Sequence, residues 1–175
     1  MTIAESEHNM FNRLMNEKDL SHNVINNQNL FKQQLLRILI EENDLTSVTF
    51  LKKTLEQIES QDIYILPMGE FIMYFTKDFK SCIAFALRIP NPDHAECFNA
   101  DSFIEIDAVH SNKKGHGSYL MNLVIEIADA INKPVALWSE TSKNTNYFKK
   151  YKLKSYGKRG RNKEELLIRK QIPIA

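Results

Sequence analysis

A strand that runs into a glycine-containing turn and then into an amphipathic helix is the feature that most constrains this chain. Residues 103–109 alternate apolar and polar side chains, as a half-buried strand does. Gly115 and Gly117, two of only five glycines, follow closely, and residues 118–131 carry apolar side chains at helical spacing. Such glycines let a ligand approach the backbone, and the open amides of a helix N-terminus favour an anion. The junction therefore predicts a phosphate cradle, with an ordinary strand-to-helix turn as the alternative.

The remaining periodicities predict a mixed sheet of the α/β or α+β class. Two helices come first, at residues 30–39 and from a cap at Thr46 or Ser47 to residue 58, whereas the first 26 residues carry little pattern and predict a loosely docked segment. The predicted strands are residues 63–66, 71–76, 82–89, 103–109, 134–139, 153–156 and 165–169, and the predicted later helices are residues 118–131 and 144–151. Alternating strands and helices in the second half indicate at least one parallel strand pair.

Composition limits the class of protein further. A chain of 175 residues with 43% hydrophobic residues suits one folded domain and excludes a disordered chain. The two cysteines, Cys82 and Cys97, lack metal-binding spacing, and no apolar run reaches the length of a membrane span. We therefore expect a cytoplasmic protein, a monomer or a homodimer, without a metal site or a membrane anchor.

The formal net charge of +1 conceals an uneven distribution. Residues 143–170 contain eleven Lys and Arg but only two acids, so this segment carries +9 and the remainder of the chain −8. Such asymmetry indicates that the basic segment meets an anion, although a solvated basic face is the alternative.

The window around the two glycines resembles motif A of the GNAT superfamily of N-acetyltransferases. The resemblance lies in Ala-Val-His-Ser at residues 108–111, the turn that ends in Gly115-His116-Gly117, and Ser-Tyr-Leu-Met at residues 118–121. It implies that acetyl-CoA is the cosubstrate and that its phosphates and pantetheine arm contact Val109, Lys114, Gly115, His116, Gly117 and Ser118. Asn112 departs from the family, which prefers Arg or Gln there.

A second block resembles the same family at the expected distance downstream. Val-Ala-Leu-Trp-Ser at residues 135–139 is similar to its next strand, and residues 144–153 to its following helix and turn. The resemblance implies that Asn144 and Phe148 contact the cofactor. Phe148 stands where the family usually has a proton-donating tyrosine, and Lys152 replaces the usual glycine. The resemblance covers about residues 70–170, which makes residues 62–175 the acetyltransferase core and residues 1–61 an N-terminal helical segment of the same unit.

The resemblance implies transfer of an acetyl group to a primary amine of a small-molecule or protein acceptor. A carboxylate must then take the proton of the ammonium group, and Glu105 is preferred over Asp107 on the same strand face; a salt-bridged carboxylate is the alternative. Tyr147 and Tyr151, one turn apart on the predicted short helix, are the nearest replacements for the missing proton donor, and Tyr147 is preferred; tyrosines that only pack there are the alternative. Two other functions stay open: a CoA-binding regulatory module without turnover, or an acetyltransferase that acts on tRNA through its basic C-terminal region. Nucleic acid is not the favoured partner.

Overall fold

A computed structural model describes residues 3–173 of the chain, with side chains from residue 8 onward. Seven α-helices lie in this range: α1 (Ile3–Asn16), α2 (Lys18–Asn26), α3 (Gln28–Glu41), α4 (Leu45–Ser60), α5 (Ala95–Phe98), α6 (His116–Ile131) and α7 (Ser142–Phe148). Short 3₁₀ turns precede α5 and follow α7. None of the described helices combines the length and the apolar character that crossing a bilayer requires.

Seven strands form one sheet in the order β1-β2-β3-β4-β5-β7-β6. They are β1 (Ile63–Pro67), β2 (Ile72–Thr76), β3 (Ser81–Arg88), β4 (Phe103–Ser111), β5 (Val135–Ser139), β6 (Lys154–Lys158) and β7 (Glu165–Arg169). All neighbours are antiparallel except β4 and β5, which are parallel because α6 connects them as a crossover. The mixed α/β class predicted from the sequence is confirmed.

The chain covers the two faces of the sheet in turn. The α6 face carries the main core, in which Ile65, Tyr74, Phe85 and Ile104 of the sheet pack with α3, α4 and α6. The opposite face, which we call the α1 face, carries two smaller clusters: α1 and α2 cover strands β1–β3, while α5 packs against β5 and β7. Alternation along each strand supplies both faces with apolar side chains.

The first 26 residues are better packed than their sequence indicates. Phe11 and Leu14 of α1 and Val24 of α2 are buried against the α1 face, so the loosely docked segment predicted there is wrong for the described residues. Three buried apolar side chains are too few to give a visible helical period, but the partly buried Met10, Leu20 and Ile25 pack in the same cluster and help to hold the two helices on the sheet.

The helix that follows the interruption at residues 43–44 begins two or three residues earlier than predicted. Asp44, rather than Thr46 or Ser47, is the N-cap of α4, since its carboxylate accepts hydrogen bonds of 2.9 Å from both the amide and the hydroxyl of Ser47. An aspartate in this position satisfies an open amide of the first turn and places its negative charge at the positive helix end. These bonds lower the pKa of the Asp44 carboxyl.

Gln28 lies where the chain passes from one face to the other around the edge of β1. Its side-chain amide donates to the carbonyl of Ile65 at 2.8 Å, and its oxygen accepts from the Ile65 amide at 2.9 Å. The side chain thus occupies both backbone groups of an edge strand residue, which would otherwise be open for pairing with another chain.

We expect Gln28→Ala to lower the free energy of unfolding by about 1–3 kcal/mol, because it leaves two backbone groups of the fully buried Ile65 without partners. Urea denaturation measures the difference. Gln34→Ala, an exposed substitution on α3, is the matched control and should change stability by less than about 0.5 kcal/mol. Equal stability of the two variants would contradict the edge-capping role of Gln28.

Candidate active site

The central feature of the sheet is an opening between its two parallel strands. β4 and β5 are in register only at Ile104–Val135 and Glu105–Ala136, after which the strands diverge. From residue 106 onward β4 keeps its partner β3 but has none on the β5 side, while β5 stays paired with β7 as far as Ser139. Backbone groups along this gap are therefore available to a ligand.

A β-bulge in β4 turns its side chains over at the same place. Ala84 of β3 is opposite Ala108, and the next residue, Phe85, is opposite Ile106, which leaves Asp107 as the extra residue. Ile106 and Val109 consequently both face the main core, whereas Ala108 packs on the α1 face. The bulge thus shifts the alternation of β4 beyond Asp107, while Glu105 and Asp107 keep their common place on the α1 face beside the opening.

Both acidic residues of β4 meet the guanidinium group of Arg88. Arg88 Nη1 is in direct contact with Glu105 and with Asp107, and Nη2 donates to Asp107 Oδ2 at 2.8 Å. Glu105 lies between the two apolar clusters of the α1 face, since its register partners are Ala86 on β3 and Ala136 on β5. Sequence reasoning placed Glu105 and Asp107 together but missed Arg88, which ends an unremarkable apolar strand.

The environment raises the pKa of Glu105. Desolvation makes the largest contribution, and the neighbouring Asp107 carboxylate adds to it, while Arg88 opposes both. A carboxylate with a raised pKa accepts a proton more readily near neutral pH than an exposed one does.

The predicted cradle is a turn with open amides. Gly115 is the N-cap of α6 at φ +86°, a conformation that side chains disfavour. Within residues 3–173, five amides of the turn donate no hydrogen bond: those of Lys113, Lys114, Gly115, Gly117 and Ser118. The amide of His116, in contrast, donates to the Lys113 carbonyl at 3.2 Å. Five open donors at the start of a sixteen-residue helix suit an anion.

Gly117 is needed for a different reason: neighbouring side chains lie too close to it for another residue to fit easily. A Cβ atom at this buried position would lie 3.1 Å from the hydroxyl of Tyr147 and 3.4 Å from Cβ of Ser111. The hydroxyl of Tyr147 is 3.0 Å from that of Tyr151, which donates to Ser118 Oγ at 2.8 Å. Lys150 Nζ donates to the same Ser118 oxygen at 3.1 Å, which adds a cation beside the turn.

Two further predicted cofactor contacts, Lys114 and His116, belong to the turn itself. Lys114 is exposed, and His116 is half-buried with Nδ1 4.0 Å from Asp78 Oδ1. Desolvation opposes ionisation of Asp78, but hydrogen bonds from the Lys80 amide and the Thr76 hydroxyl outweigh it and lower the pKa of this carboxyl. Asp78 thus places one negative charge at the edge of an otherwise basic turn.

The residues predicted from the second block lie on α7, and Val109 lies on β4 beyond its last contact with β5. Asn144 is exposed in the first turn of α7, and its amide donates to Thr141 Oγ1 at 3.1 Å. Phe148 is half-buried, packs against the main core and meets Tyr147 edge to face. Lys152 adopts φ +64°, the left-handed conformation for which glycine is best suited.

The structure does not bring Tyr147 and Glu105 together. Tyr147 lies against Gly117, near Ser111 at the end of β4, and Glu105 lies six residues earlier on that strand. Six residues of strand span about 20 Å. Desolvation, with the hydrogen bond to Tyr151, raises the pKa of Tyr147, so its phenol stays protonated. The Tyr147 side chain nevertheless contacts the turn and not the Glu105 carboxylate.

No protein-family model and no curated protein sequence matches the chain. Among solved structures, a histone acetyltransferase HPA2-related acetyltransferase from Corynebacterium glutamicum is similar at 13% identity and a TM-score of 0.45, over 76% of this chain and 80% of that one. The N-acetyltransferase YlbP of Bacillus subtilis, in complex with coenzyme A, is similar at 12% identity and a TM-score of 0.41, over 74% and 84%. Likeness at TM-scores below 0.5 does not carry function from one protein to another. Both neighbours are acetyltransferases, the class of enzyme that the two sequence blocks resemble.

Proposed function

We propose that this protein is an N-acetyltransferase that uses acetyl-CoA and a primary amine. The observation that carries the proposal is the opening between β4 and β5, because it joins two sites of complementary chemistry. At one end lie the five open amides of residues 113–118. Toward the other end lies Glu105, the last β4 residue in register with β5.

The residues present fit a thioester cofactor that carries phosphates. The open amides of the turn, with Lys150 beside Ser118, would hold its phosphates, and the unpaired backbone of β4 near Val109 would hold its extended arm. Gly117 leaves room for that approach where any side chain would fill the cradle. Bound there, the cofactor supplies an activated acetyl group.

Glu105 would accept the proton that an ammonium group must lose before its nitrogen can attack a carbonyl carbon. Its carboxylate lies on the α1 face beside the opening. Its pKa is raised toward neutral pH, which makes it a better proton acceptor there. Unpaired backbone amides of β4 beyond Glu105 would stabilise negative charge on the carbonyl oxygen as the new bond forms.

Tyr147 receives a different role from the one that the sequence predicts. Because its hydroxyl contacts Gly117 and Tyr151, we assign it to the phosphate end of the site, together with Ser118. A proton for the departing thiolate then has to come from water or from another group near Glu105.

Release of thiol from acetyl-CoA in the presence of amines tests the proposal. We expect amine-dependent release with at least one class among polyamines, amino acids, aminoglycosides and lysine peptides, and an acetyl group on the recovered amine by mass spectrometry. Cofactor binding without release above the buffer rate, across all these classes, would reject the transferase and favour a CoA-binding module without turnover.

A further inference from the structure

Arg88 is the only cation that the described residues place against the two carboxylates of β4. The three side chains are largely shielded, with exposures of 22% for Arg88, 20% for Glu105 and 5% for Asp107. From the turn between β1 and β2, Glu70 contributes its backbone carbonyl, which accepts from Arg88 Nη2 at 3.4 Å. From β5 the residue in register with Glu105 is the uncharged Ala136.

The two carboxylates share the guanidinium unequally. Asp107 receives both Nη1 and Nη2 on its two oxygens, which is the two-pronged pairing that best matches an arginine and a carboxylate. Glu105 contacts Nη1 through Oε2 alone. No donor in the described part of the chain hydrogen-bonds Glu105 Oε1.

The charges of Arg88, Glu105 and Asp107 together favour the binding of one proton by the two carboxylates. Two carboxylates and one guanidinium carry a net charge of −1, and two carboxylates in contact with one another disfavour double ionisation. Protonation of Asp107 would break the two-pronged pair, whereas protonation of Glu105 would leave it intact. The arriving proton is therefore directed to Glu105.

We propose that Arg88 is a positioning residue that holds the Asp107 carboxylate in a two-pronged pair and so leaves Glu105 as the proton acceptor of the site. The consequence for catalysis rests on the proposed transferase function, but the assignment of the proton does not. The direction of the Glu105 pKa agrees, since burial and the ionised Asp107 both raise it.

The experiment is a pH titration of the side-chain carboxyl ¹³C signals in the cofactor-free protein. We expect the Glu105 signal to titrate above the ordinary glutamate range. A Glu105 signal that titrates within or below the ordinary glutamate range would overturn the proposal, whatever the activity of the protein. If this titration agrees but no acetyl transfer is found, the proposed function fails and the proton assignment stands.

Two substitutions of Arg88 test its positioning role. Arg88→Met should raise the Glu105 midpoint by about 1–3 pH units, because the two carboxylates then share one proton without a counter-ion. Arg88→Lys keeps the positive charge but cannot make the two-pronged pair with Asp107, so we expect a smaller upward shift of the Glu105 midpoint. This second variant still tests the proposal if Arg88→Met does not fold. With an identified amine, the rising limb of kcat/KM against pH should move by the same amount.

Arg159→Met is the matched control. Arg159 also pairs with a glutamate, Glu96, at 2.9 Å, but on the exposed surface away from β4. We expect it to leave the Glu105 midpoint unchanged. An unchanged midpoint in both Arg88 variants would show that Arg88 only supports the fold and would overturn the proposal.

Discussion

Gly117→Val is expected to weaken binding of acetyl-CoA by at least about 100-fold while the protein remains folded. Gly117 is buried at the second position of α6, and even a single Cβ atom there lies 3.1 Å from the Tyr147 hydroxyl. The two methyl groups of valine would occupy the space in front of the open amides and displace Tyr147. Because the backbone of Gly117 has no positive φ, the helix itself can accept the substitution.

Calorimetric titration gives the binding constant, and circular dichroism checks the fold. Thr46→Val is the matched control because it places the same side chain at the second position of another helix, α4, far from the turn. We expect this control to bind as the native protein does. Binding within threefold of the native value in Gly117→Val would place the cofactor somewhere other than the turn.

Glu105→Gln is expected to lower kcat by roughly 10²–10⁴ with little change in acetyl-CoA affinity. The amide has nearly the shape of the carboxylate and can still accept a hydrogen bond from Arg88, but it cannot take a proton from an ammonium group. The rising limb of the pH profile should disappear along with the rate.

Steady-state kinetics over a range of pH measures both effects. Glu96→Gln provides the comparison, since it also removes a carboxylate that pairs with an arginine, but on the exposed surface of α5. Its kcat should remain unchanged. A Glu105→Gln enzyme with native kcat and a native pH profile would show that Glu105 is a salt-bridged structural residue and not the base.

Local spacing predicted most of the sheet and the turn. Residues 63–66, 71–76 and 103–109 alternate or carry β-branched and aromatic side chains, and each lies within or beside a strand of the structure. Gly115 was identifiable because a glycine between a strand and an apolar helical period indicates a backbone that a ligand can approach closely, whereas its positive φ is seen only in the structure. Features that depend on neighbours within about ten residues can therefore be predicted from the sequence.

The parts that could not be predicted depend on contacts between distant segments. Arg88 acquires its role only because the register of β3 on β4, with one bulge at Asp107, brings it against two carboxylates. Gln28 is likewise an ordinary helical residue until the chain turns around the edge of β1. Tyr147 was assigned by its distance along the helix from Phe148, but the packing of α7 on the turn decides where its hydroxyl lies.

Two hollows on the surface offer an alternative place for a cofactor. They lie on α3 and α4, around Lys32, Leu55 and Glu59, and not at the β4–β5 opening. Neither hollow includes a residue of the turn at 113–118, and both include the carboxylate of Glu59, which repels phosphate. We therefore expect no cofactor there.

Titration of acetyl-CoA into ¹⁵N-labelled protein, followed by amide chemical shifts, tests the central claim most directly. The site proposed here predicts saturable shifts at residues 113–118 and along residues 106–109 and 137–139, at cofactor concentrations below about 1 mM. No shifts at that concentration, or shifts confined to α3 and α4, would contradict it.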